Sequence, residues 1–424
     1  MSGLDSRGRP NGARPIQIDP EQLLDDGYVI LKNVVPPERL NELRASFETL
    51  VDRQQANWAR DRDDPGCFPY VAKQPRLAFQ SVIDSTTANT VEFCLHENTL
   101  GVSRQALGTR DVGLKQMILL CNPETPYGPD LWHRDVSHGP TNNAPLAGLQ
   151  ADMLSNGPGS VQWNIPLYDD DVLWVVPGSH RRLNTPRENR ELLNDPRAKL
   201  SNCTQVRLKA GDGVMYINTI LHWPSNYSTR LRRIIHLRYT SFGGQLFPYG
   251  SRFLWEPGFV RHLSPEGQAV FHRFLELAQL EDDRIEAFYR AMLDEDPDAF
   301  RQALALLHPG ESGRMVCVVL LSKLARRMGA LKRPEVANLP ERERASAVGE
   351  QTFSISNLES LARRFTGSET KLLGQRFAPL DARLQMETEH FVPSLASRPT
   401  RYAQEHMPDD FGLDDFIANW SAAA

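Results

Sequence analysis

The spacing of apolar residues changes character twice along the chain. Within residues 40–50 the apolar side chains recur every three or four positions, which predicts a helix entered through the Pro36-Pro37 pair. Between residues 113 and 241 the apolar runs become short, rich in β-branched side chains and separated by Pro, Gly, Asn and Asp, which predicts strands. From residue 264 onward the helical spacing returns.

The middle segment contains several candidate strands, each bounded by turn residues. Another strand is expected before them, where Asp26-Gly27 marks a turn ahead of an apolar run that ends at Leu31. Short strands with such turns indicate a sandwich or barrel rather than a parallel α/β sheet. The candidates in the middle segment are residues 114–121, 160–166, 172–176, 205–208, 213–217 and 234–239.

The pattern divides the chain into three parts. Residues 1–18 are predicted to be a flexible tail, because they are rich in Gly, Pro, Arg and Asn. Residues 19–245 form the mainly β part, and residues 246–424 form a mainly helical extension. Within that extension the predicted helices are 265–280, 283–293, 297–307, 314–328 and, after a polar connector, about 355–373.

Composition narrows the possible partners and the compartment. The 424 residues carry a net charge of −5, which gives no general attraction to a phosphate backbone, so no nucleic acid partner is expected. The five cysteines show no CxxC pair, as in proteins of a reducing compartment. The N-terminus lacks a signal peptide core, and the longest apolar run, 315–321, is too short for a membrane span. A cytoplasmic location is expected.

The most informative candidate chemistry lies in Leu131-Trp132-His133-Arg134-Asp135. In an extended segment residues i and i+2 project to the same side, so His133 and Asp135 can contact one ion while Arg134 points away. Imidazole and carboxylate are ligands of the facial triad that holds non-haem Fe(II) with open coordination positions. Taken alone the pair is common, and the end of a surface strand is the alternative interpretation.

Two later residues can complete such a site. His222 follows the candidate strand 213–217, although a single histidine after an apolar strand is more often structural. The Arg232-Arg233 pair precedes the candidate strand 234–239. A planar guanidinium can bind a carboxylate through two parallel hydrogen bonds, as an iron-bound oxo acid would require. An exposed basic turn is the alternative, and it suits Arg230 better.

The order of these motifs resembles that of the phytanoyl-CoA dioxygenase family over about residues 20 to 245. The resemblance implies an α+β protein with a mainly β core, a double-stranded β-helix of the jelly-roll or cupin-like type with flanking helices. The motifs that carry it are Asp26-Gly27-Tyr28, Gln116-Met117, His133-Arg134-Asp135, Val175-Val176-Pro177-Gly178-Ser179-His180, Gly211-Asp212, and His222 with Asn226, Ser228, Arg232 and Arg233.

The resemblance also implies an activity. The protein is expected to use Fe(II), 2-oxoglutarate and O2 to hydroxylate an unactivated C–H bond of a small molecule, releasing succinate and CO2. Related halogenases carry a small residue where Asp135 stands, so hydroxylation is favoured over halogenation. By position, His133, Asp135 and His222 would bind iron, Arg232 would bind the far carboxylate of 2-oxoglutarate, and Met117 and Trp163 would line the cosubstrate pocket.

Several alternatives stay open in the sequence. The interval from His222 to Arg232 is one residue shorter than in the best-known relative, which leaves Arg233 as an alternative anchor. Trp223-Pro224 stands where relatives place small or hydroxyl residues, so Ser225 is a possible substitute contact. His180 is expected to be structural and His236 to lie on a strand. His138 would replace a ligand only if the register differs, and a loop or substrate-facing role is favoured for it. Residues 169–171 are expected to form a solvated hairpin turn rather than a second metal site.

Two other functions fit the same motifs. One is a non-catalytic jelly-roll binding or scaffold protein, in which the helical extension is the working surface. The other is a cupin-type metal enzyme that does not use 2-oxoglutarate. The helices could cover the barrel, form a homo-oligomer or bind a partner, and packing against the barrel is preferred. Nothing in the sequence requires the substrate to be an acyl-CoA.

Overall fold

The computed structural model describes residues 16–60, 72–78, 82–135, 145–242, 257–349, 355–389, 402–406 and 410–420. Most of the predicted tail, 1–18, lies outside these ranges. The strands are β1 (Tyr28–Leu31), β2 (Arg76–Ala78), β3 (Val112–Cys121), β4 (Ser160–Pro166), β5 (Leu173–Val175), β6 (Thr204–Gln205), β7 (Gly213–Ile217), β8 (His222–Pro224), β9 (Arg233–Ser241), β10 (Gln385–Glu389) and β11 (Tyr402–His406).

Helices precede, separate and follow these strands along the chain. The first of them begins at Pro20, because the Asp19 side chain accepts hydrogen bonds from two amides of its first turn. The helices are α1 (Pro20–Asp26), α2 (Leu40–Arg60), α3 (Asn89–Cys94), α4 (Val102–Leu107), α5 (Leu146–Asn156), α6 (Pro186–Asn194), α7 (Pro265–Leu293), α8 (Pro297–Leu307), α9 (Arg314–Leu331), α10 (Pro334–Ala337), α11 (Glu341–Ala347), α12 (Ile355–Arg363), α13 (Gly367–Arg383) and α14 (Leu413–Asn419).

Two antiparallel sheets form the β core. The larger has the strand order β1-β7-β4-β9-β3-β2, and the smaller has the order β6-β5-β8. Strands that are distant in the chain therefore lie side by side, as in a jelly roll. Leu173 and Val175 of the small sheet share one apolar cluster with Val214 and Tyr216 of the large sheet, so the two sheets face each other. The expected double-stranded β-helix is confirmed.

The outer face of the large sheet packs against α2. Met117, Trp163 and Leu237 from three neighbouring strands are fully buried in the same cluster as Phe47 and Leu50 of that helix. Burying side chains of this kind stabilises the fold by about 1.5–3 kcal/mol each. The opposite face of the same strands is therefore free to line a cavity between the two sheets.

The helical extension departs from prediction at two places. The helices expected at 265–280 and 283–293 are one helix, α7, because Ile285, Phe288 and Met292 continue its buried face without a break. The helix expected at 355–373 is divided instead. Thr366 accepts a hydrogen bond from the Glu369 amide while Glu369 accepts one from the Thr366 amide, and this capping box starts the new helix α13.

Helix α7 joins the extension to the barrel. Phe271 and Phe274 near its beginning belong to the apolar core of the large sheet, whereas Phe288 and Tyr289 belong to the core of the helical extension. The preferred expectation of packing against the barrel is thus confirmed. A domain boundary at residue 245 stays a prediction, because residue 245 lies outside the described residues. The formation of a homo-oligomer also stays a prediction.

Four cysteines are free thiols, and Cys67 lies outside the described residues. Cys94, Cys121 and Cys317 are buried, and burial raises the pKa of the Cys121 thiol to about 11. These thiols are therefore protonated and behave as small apolar side chains.

In the described part of the chain, no single helix has the length and apolar character needed to cross a bilayer. One bent pair, Pro297–Leu307 with Glu311–Leu331, meets both criteria when its two halves are taken together, with 107° between them.

Candidate active site

A cavity of about 280 Å³ lies between the two sheets. Strands β2, β3, β4, β7 and β9 of the large sheet and β5 and β8 of the small sheet contribute to its walls. His133, Asp135 and His222 line it together with Arg232. The residues proposed from the sequence for metal binding and for the oxo acid are therefore gathered in one cavity.

Backbone pairing sets the two histidines side by side. The His133 amide donates to the His222 carbonyl at 2.9 Å, and the His222 amide donates back to the His133 carbonyl at 3.0 Å. The two imidazole centroids lie 4.1 Å apart. The Asp135 amide donates to the Asn218 carbonyl at 3.1 Å, which carries the carboxylate into the same corner. The histidine and carboxylate at i and i+2 share one side, as expected.

The separations of the polar atoms suit a single metal ion. Asp135 Oδ1 lies 3.7 Å from His133 Nε2, and Asp135 Oδ2 lies 3.4 Å from His222 Nε2. One ligand atom from each residue can be chosen so that all three lie within 4.8 Å of one another. Nitrogen and oxygen ligands about 2.1 Å from a common ion lie on the order of 3 Å apart from one another. The three side chains could therefore bind one metal ion with little movement.

Hydrogen bonds prepare both imidazoles for metal binding. The Nδ1 of His133 donates to the Leu131 carbonyl and the Nδ1 of His222 donates to the Ile220 carbonyl, each at 3.0 Å. The Nε2 lone pairs therefore face the carboxylate and the cavity. Loss of water around the ring lowers the pKa of His133, and the nearby His222 lowers it further, although Asp135 acts in the opposite direction. A neutral imidazole is the form that binds a metal.

Arg134, between the two candidate ligands, points away from the cavity as predicted. Its guanidinium is buried and donates to the Ser179 carbonyl and to the Asn184 side chain, both at 2.7 Å, and also to the Thr219 carbonyl. Thr219 belongs to the turn that leads into His222. This arginine thus connects the two segments that carry the candidate ligands, a role that the sequence did not indicate.

The structure separates the two arginines that the sequence left as alternatives. Arg232 lines the cavity, donates through Nε to Asp170 Oδ2 at 2.6 Å, and its Nη1 is buried without a hydrogen-bond partner in the described part of the chain. Arg233 lies on the opposite face, where it donates to Glu48 and Asn122 at 2.8 Å each. Of these two arginines, only Arg232 can therefore meet a ligand in the cavity.

One residue of the acidic run at 169–171 contributes to this site, contrary to the prediction of a solvated turn, whereas Asp169 and Asp171 are exposed as expected. The Asp170 side chain is only 9% exposed because it pairs with Arg232, whereas Asp169 pairs with Lys209 at the surface. Burial lowers the pKa of Arg232, but Asp170 and neighbouring tyrosines raise it by more, so the net shift is upward. Arg232 is therefore firmly cationic.

Met117 and Trp163 are not among the residues that line the cavity, so the prediction that they line the cosubstrate pocket is wrong. Both are fully buried in the core on the outer face of the sheet, and the Trp163 Nε1 donates to the Ser103 hydroxyl at 3.0 Å. Side chains alternate along a strand, so the adjacent residues line the cavity instead. In β3 a bulge between Leu114 and Gln116 resets this alternation. The adjacent cavity residues are Gln116, Ile118, Gln162 and Asn164.

Sequence reasoning missed other cavity residues. Arg76 was missed because β2 has only three residues. Arg238 and Tyr216 were not proposed from the sequence, although the alternation of side chains along β9 and β7 directs both into the cavity. His236 lies on β9 as predicted, but it also lines the cavity and its Nδ1 donates to Asn164 at 2.7 Å. Burial lowers the pKa of His236 to about 4, so its ring is neutral near pH 7.

The remaining candidates have structural roles or cannot be placed. His180 donates through Nε2 to the Leu24 carbonyl at 2.9 Å, which confirms its expected structural role. The Ser225 hydroxyl donates to the Val172 carbonyl at 2.9 Å and is not among the residues that line the cavity. His138 lies outside the described residues.

The comparison with known families decides the class of protein. The model described as phytanoyl-CoA dioxygenase (PhyH) matches residues 23–234, which is half of the chain. This chain belongs to the phytanoyl-CoA dioxygenase family. Accordingly it is a non-haem iron dioxygenase that depends on 2-oxoglutarate and uses Fe(II) and O2. The helical extension that begins with α7 follows the matched span.

An ectoine dioxygenase and two solved structures are similar to this dioxygenase at 25% identity or less. This chain is 25% identical over 230 residues to an ectoine dioxygenase from Nocardia farcinica (strain IFM 10152), which covers 49% of this chain and 72% of that protein. The crystal structure of the epimerase SnoN with Fe3+, alpha ketoglutarate and nogalamycin RO is 16% identical, with a TM-score of 0.36, and covers 53% of this chain and 82% of that chain. The crystal structure of EctD from S. alaskensis with 2-oxoglutarate and 5-hydroxyectoine is 15% identical, with a TM-score of 0.37. The match covers 53% of this chain and 75% of that chain.

Proposed function

We propose that this dioxygenase hydroxylates an unactivated C–H bond of a small-molecule substrate, with Fe(II) bound by His133, Asp135 and His222. The observation that carries the proposal is the approach of two imidazole Nε2 atoms to one carboxylate at 3.4 and 3.7 Å on the wall of a cavity. Two imidazoles and one carboxylate leave open coordination positions on iron. When bound, Fe(II) supplies the activation of O2 that accompanies conversion of 2-oxoglutarate to succinate and CO2.

Each protein group has a distinct role in this proposal. Arg232 binds the far carboxylate of 2-oxoglutarate, and Asp170 holds the guanidinium in place through its Nε. Gln162 donates to Asp135 Oδ2 at 3.0 Å and orients that carboxylate. The cupin-type alternative, which does not use 2-oxoglutarate, provides no ligand group for the buried Nη1 of Arg232, which has no hydrogen-bond partner in the described part of the chain. Asp135 favours hydroxylation over halogenation, as the family resemblance implies.

The decisive experiment is anaerobic addition of Fe(II) and 2-oxoglutarate to the full-length purified protein. We expect a visible charge-transfer absorption from the chelate of iron and the oxo acid, saturating at one equivalent of each. Zn(II) in place of Fe(II) gives no such absorption and serves as the control. Folded protein without the absorption, as judged by circular dichroism, would contradict the proposal.

We infer a cytoplasmic location from the absence of CxxC pairs and from the buried, protonated thiols described above. Fractionation of the native host, followed by detection of the chain with an antibody, tests this location. Recovery in the membrane or secreted fraction would contradict it.

A further inference from the structure

We propose that helix α5 connects the helical extension to the candidate iron site, and that Gln150 and Asp152 of this helix are positioning residues for the site. The extension thereby takes part in setting the geometry of the metal ligands. The inference rests on the proposed function, because it concerns the iron site assigned there. It goes further by giving the extension a role in the reaction.

Helix α5 lies in the chain between strands β3 and β4 of the large sheet, yet most of its buried apolar side chains belong to the extension. Leu146 and Leu149 are buried in the same cluster as Phe288 and Phe300. Met153, near the end of the helix, belongs to the core of the large sheet. A helix inserted between two strands of the barrel is therefore held in place by the extension.

Buried polar contacts fix α5 against the extension. Asp152 Oδ2 lies 3.0 Å from His308 Nε2, and the two side chains are 8% and 2% exposed. Asn156 donates to the Ser312 hydroxyl at 3.0 Å and to Asp152 Oδ1 at 2.7 Å. The approach is so close that a Cβ at Gly313 would collide with Asp152 and His308. Parting these groups would leave buried polar atoms without partners, so the junction holds α5 in one position.

Gln150 faces the barrel. It precedes Asp152 by two residues, which is a rotation of about 200° around a helix, so the two side chains project to opposite sides. The buried side-chain amide of Gln150 donates to the Ser179 carbonyl at 3.3 Å and to the Arg182 carbonyl at 2.6 Å. Its two N–H groups thus bind both ends of the short segment 179–182.

Ser179 contacts both segments that carry the candidate ligands. Its carbonyl accepts a hydrogen bond at 2.7 Å from Arg134, which lies between two of the ligands in the chain. Its hydroxyl accepts one at 2.8 Å from the amide of Leu221, the residue before His222. A displacement of α5 therefore moves the residue to which both ligand segments are bonded.

The test measures the Fe(II) affinity of the full-length protein by anaerobic titration in saturating 2-oxoglutarate, with the visible absorption as the signal. Gln150→Ala should raise the Kd for Fe(II) about fivefold or more, because groups that orient metal ligands affect metal affinity strongly. Asp152→Ala should raise it about threefold or more. Asp152→Asn keeps a hydrogen-bonding group opposite His308 and should recover most of that loss.

A second readout needs no metal. Hydrogen exchange of the metal-free protein, measured by mass spectrometry, reports on the peptide 217–224, which contains the Leu221 amide bonded to Ser179. Exchange in this peptide should be about threefold faster or more in Gln150→Ala and in Asp152→Ala than in the wild type, because both substitutions loosen the same turn.

The double variant separates a connection from two independent effects. Gln150→Ala combined with Asp152→Ala should raise the Kd for Fe(II) no further than Gln150→Ala alone, because both changes interrupt one path. The matched control is Arg376→Gln in α13, which removes another buried polar side chain of the extension, one that donates to Glu295 at 2.7 Å. It should lower the midpoint of urea unfolding but keep the Kd and the exchange of peptide 217–224 within about twofold of wild type.

Three results would overturn the inference. They are a Kd for Fe(II) within twofold of wild type in Gln150→Ala, additive effects in the double variant, and equal effects of Arg376→Gln and Asp152→Ala on that Kd. The last result would show that loss of stability alone weakens the site. Failure of the proposed function is distinguishable, because the wild-type protein would then show no absorption with Fe(II) and 2-oxoglutarate. Hydrogen exchange of the metal-free protein would still test the connection.

Discussion

The two faces of the large sheet perform opposite tasks with residues that are adjacent in sequence. On β4, Gln162 contacts a candidate metal ligand, whereas Trp163 is fully buried against the helical layer. At the start of β9, Arg232 lines the cavity, whereas Arg233 contacts Glu48 on the outside. A shift of one residue along a strand therefore converts a functional position into a structural one.

The two faces also differ in energy. The outer face stabilises the fold through burial of apolar area, at about 25 cal/mol per Å². The inner face carries polar groups that lose water on folding and regain only part of that cost through their hydrogen bonds. Substitutions on the inner face should therefore alter binding and activity, and those on the outer face should alter the free energy of unfolding. Four predictions test this division.

The largest effect is expected at the candidate metal site. Asp135→Ala removes the only carboxylate of the triad, so we expect succinate formation to fall by more than about 100-fold. The matched control is Asp169→Ala, which removes an exposed carboxylate paired with Lys209. For both variants the free energy of unfolding should lie within about 1 kcal/mol of the wild-type value. Full succinate formation by Asp135→Ala would show that the assigned ligand is wrong.

The next effect compares neighbours on β4. Trp163→Ala leaves a large cavity in the core and removes the hydrogen bond to Ser103, so the free energy of unfolding should fall by about 3–5 kcal/mol. Gln162→Ala should lower the free energy of unfolding by only about 1 kcal/mol. It should weaken iron affinity about tenfold or more, because Asp135 loses the hydrogen bond that Gln162 donates. Urea unfolding and iron titration measure the two quantities. Equal destabilisation by both variants would contradict the division of the faces.

The arginine pair gives an intermediate effect. Arg232→Ala should weaken 2-oxoglutarate binding by about 10- to 100-fold, since hydrogen bonds to charged groups contribute about 1.5–3 kcal/mol. Arg233→Ala should leave that affinity unchanged and lower the free energy of unfolding by about 1 kcal/mol through loss of its contacts with Glu48. Titration of the visible absorption measures the affinity. A larger loss of affinity in Arg233→Ala would reverse the assignment.

The last prediction is a dependence of stability on pH that comes from His236 on the inner face. Its pKa in the folded chain is about 4, against an ordinary value of 6.5, so between these values only the unfolded chain takes up the proton. Stability should therefore fall as pH decreases from 6.5 to about 4, by at most about 1.4 kcal/mol per pH unit. His236→Gln should reduce this slope in urea unfolding at several pH values, and the exposed His272→Gln should not. An unchanged slope in His236→Gln would contradict the prediction.

Local sequence pattern predicted many elements closely. Strands 160–166 and 213–217 and helix 297–307 agree with the structure in both bounds, because turn residues or a capping Asp296 mark their ends. Strands β2 and β8 were missed, since three residues are too few to show a period. The division of the predicted helix 355–373 depends on a hydrogen-bonded cap at Thr366, which spacing of apolar residues does not reveal.

The sequence by itself determined that His133 and Asp135 share one side, because alternation in an extended segment is a local property. The tertiary structure decided everything that depends on partners distant in the chain. Pairing of residues 133 and 222 brought the second imidazole to the carboxylate, and the contact with Asp170 brought Arg232 into the cavity. Register between β3, β9 and β4 placed Arg238 beside the same site. Register and strand phase arise from the packing of whole sheets, so no local pattern could supply them.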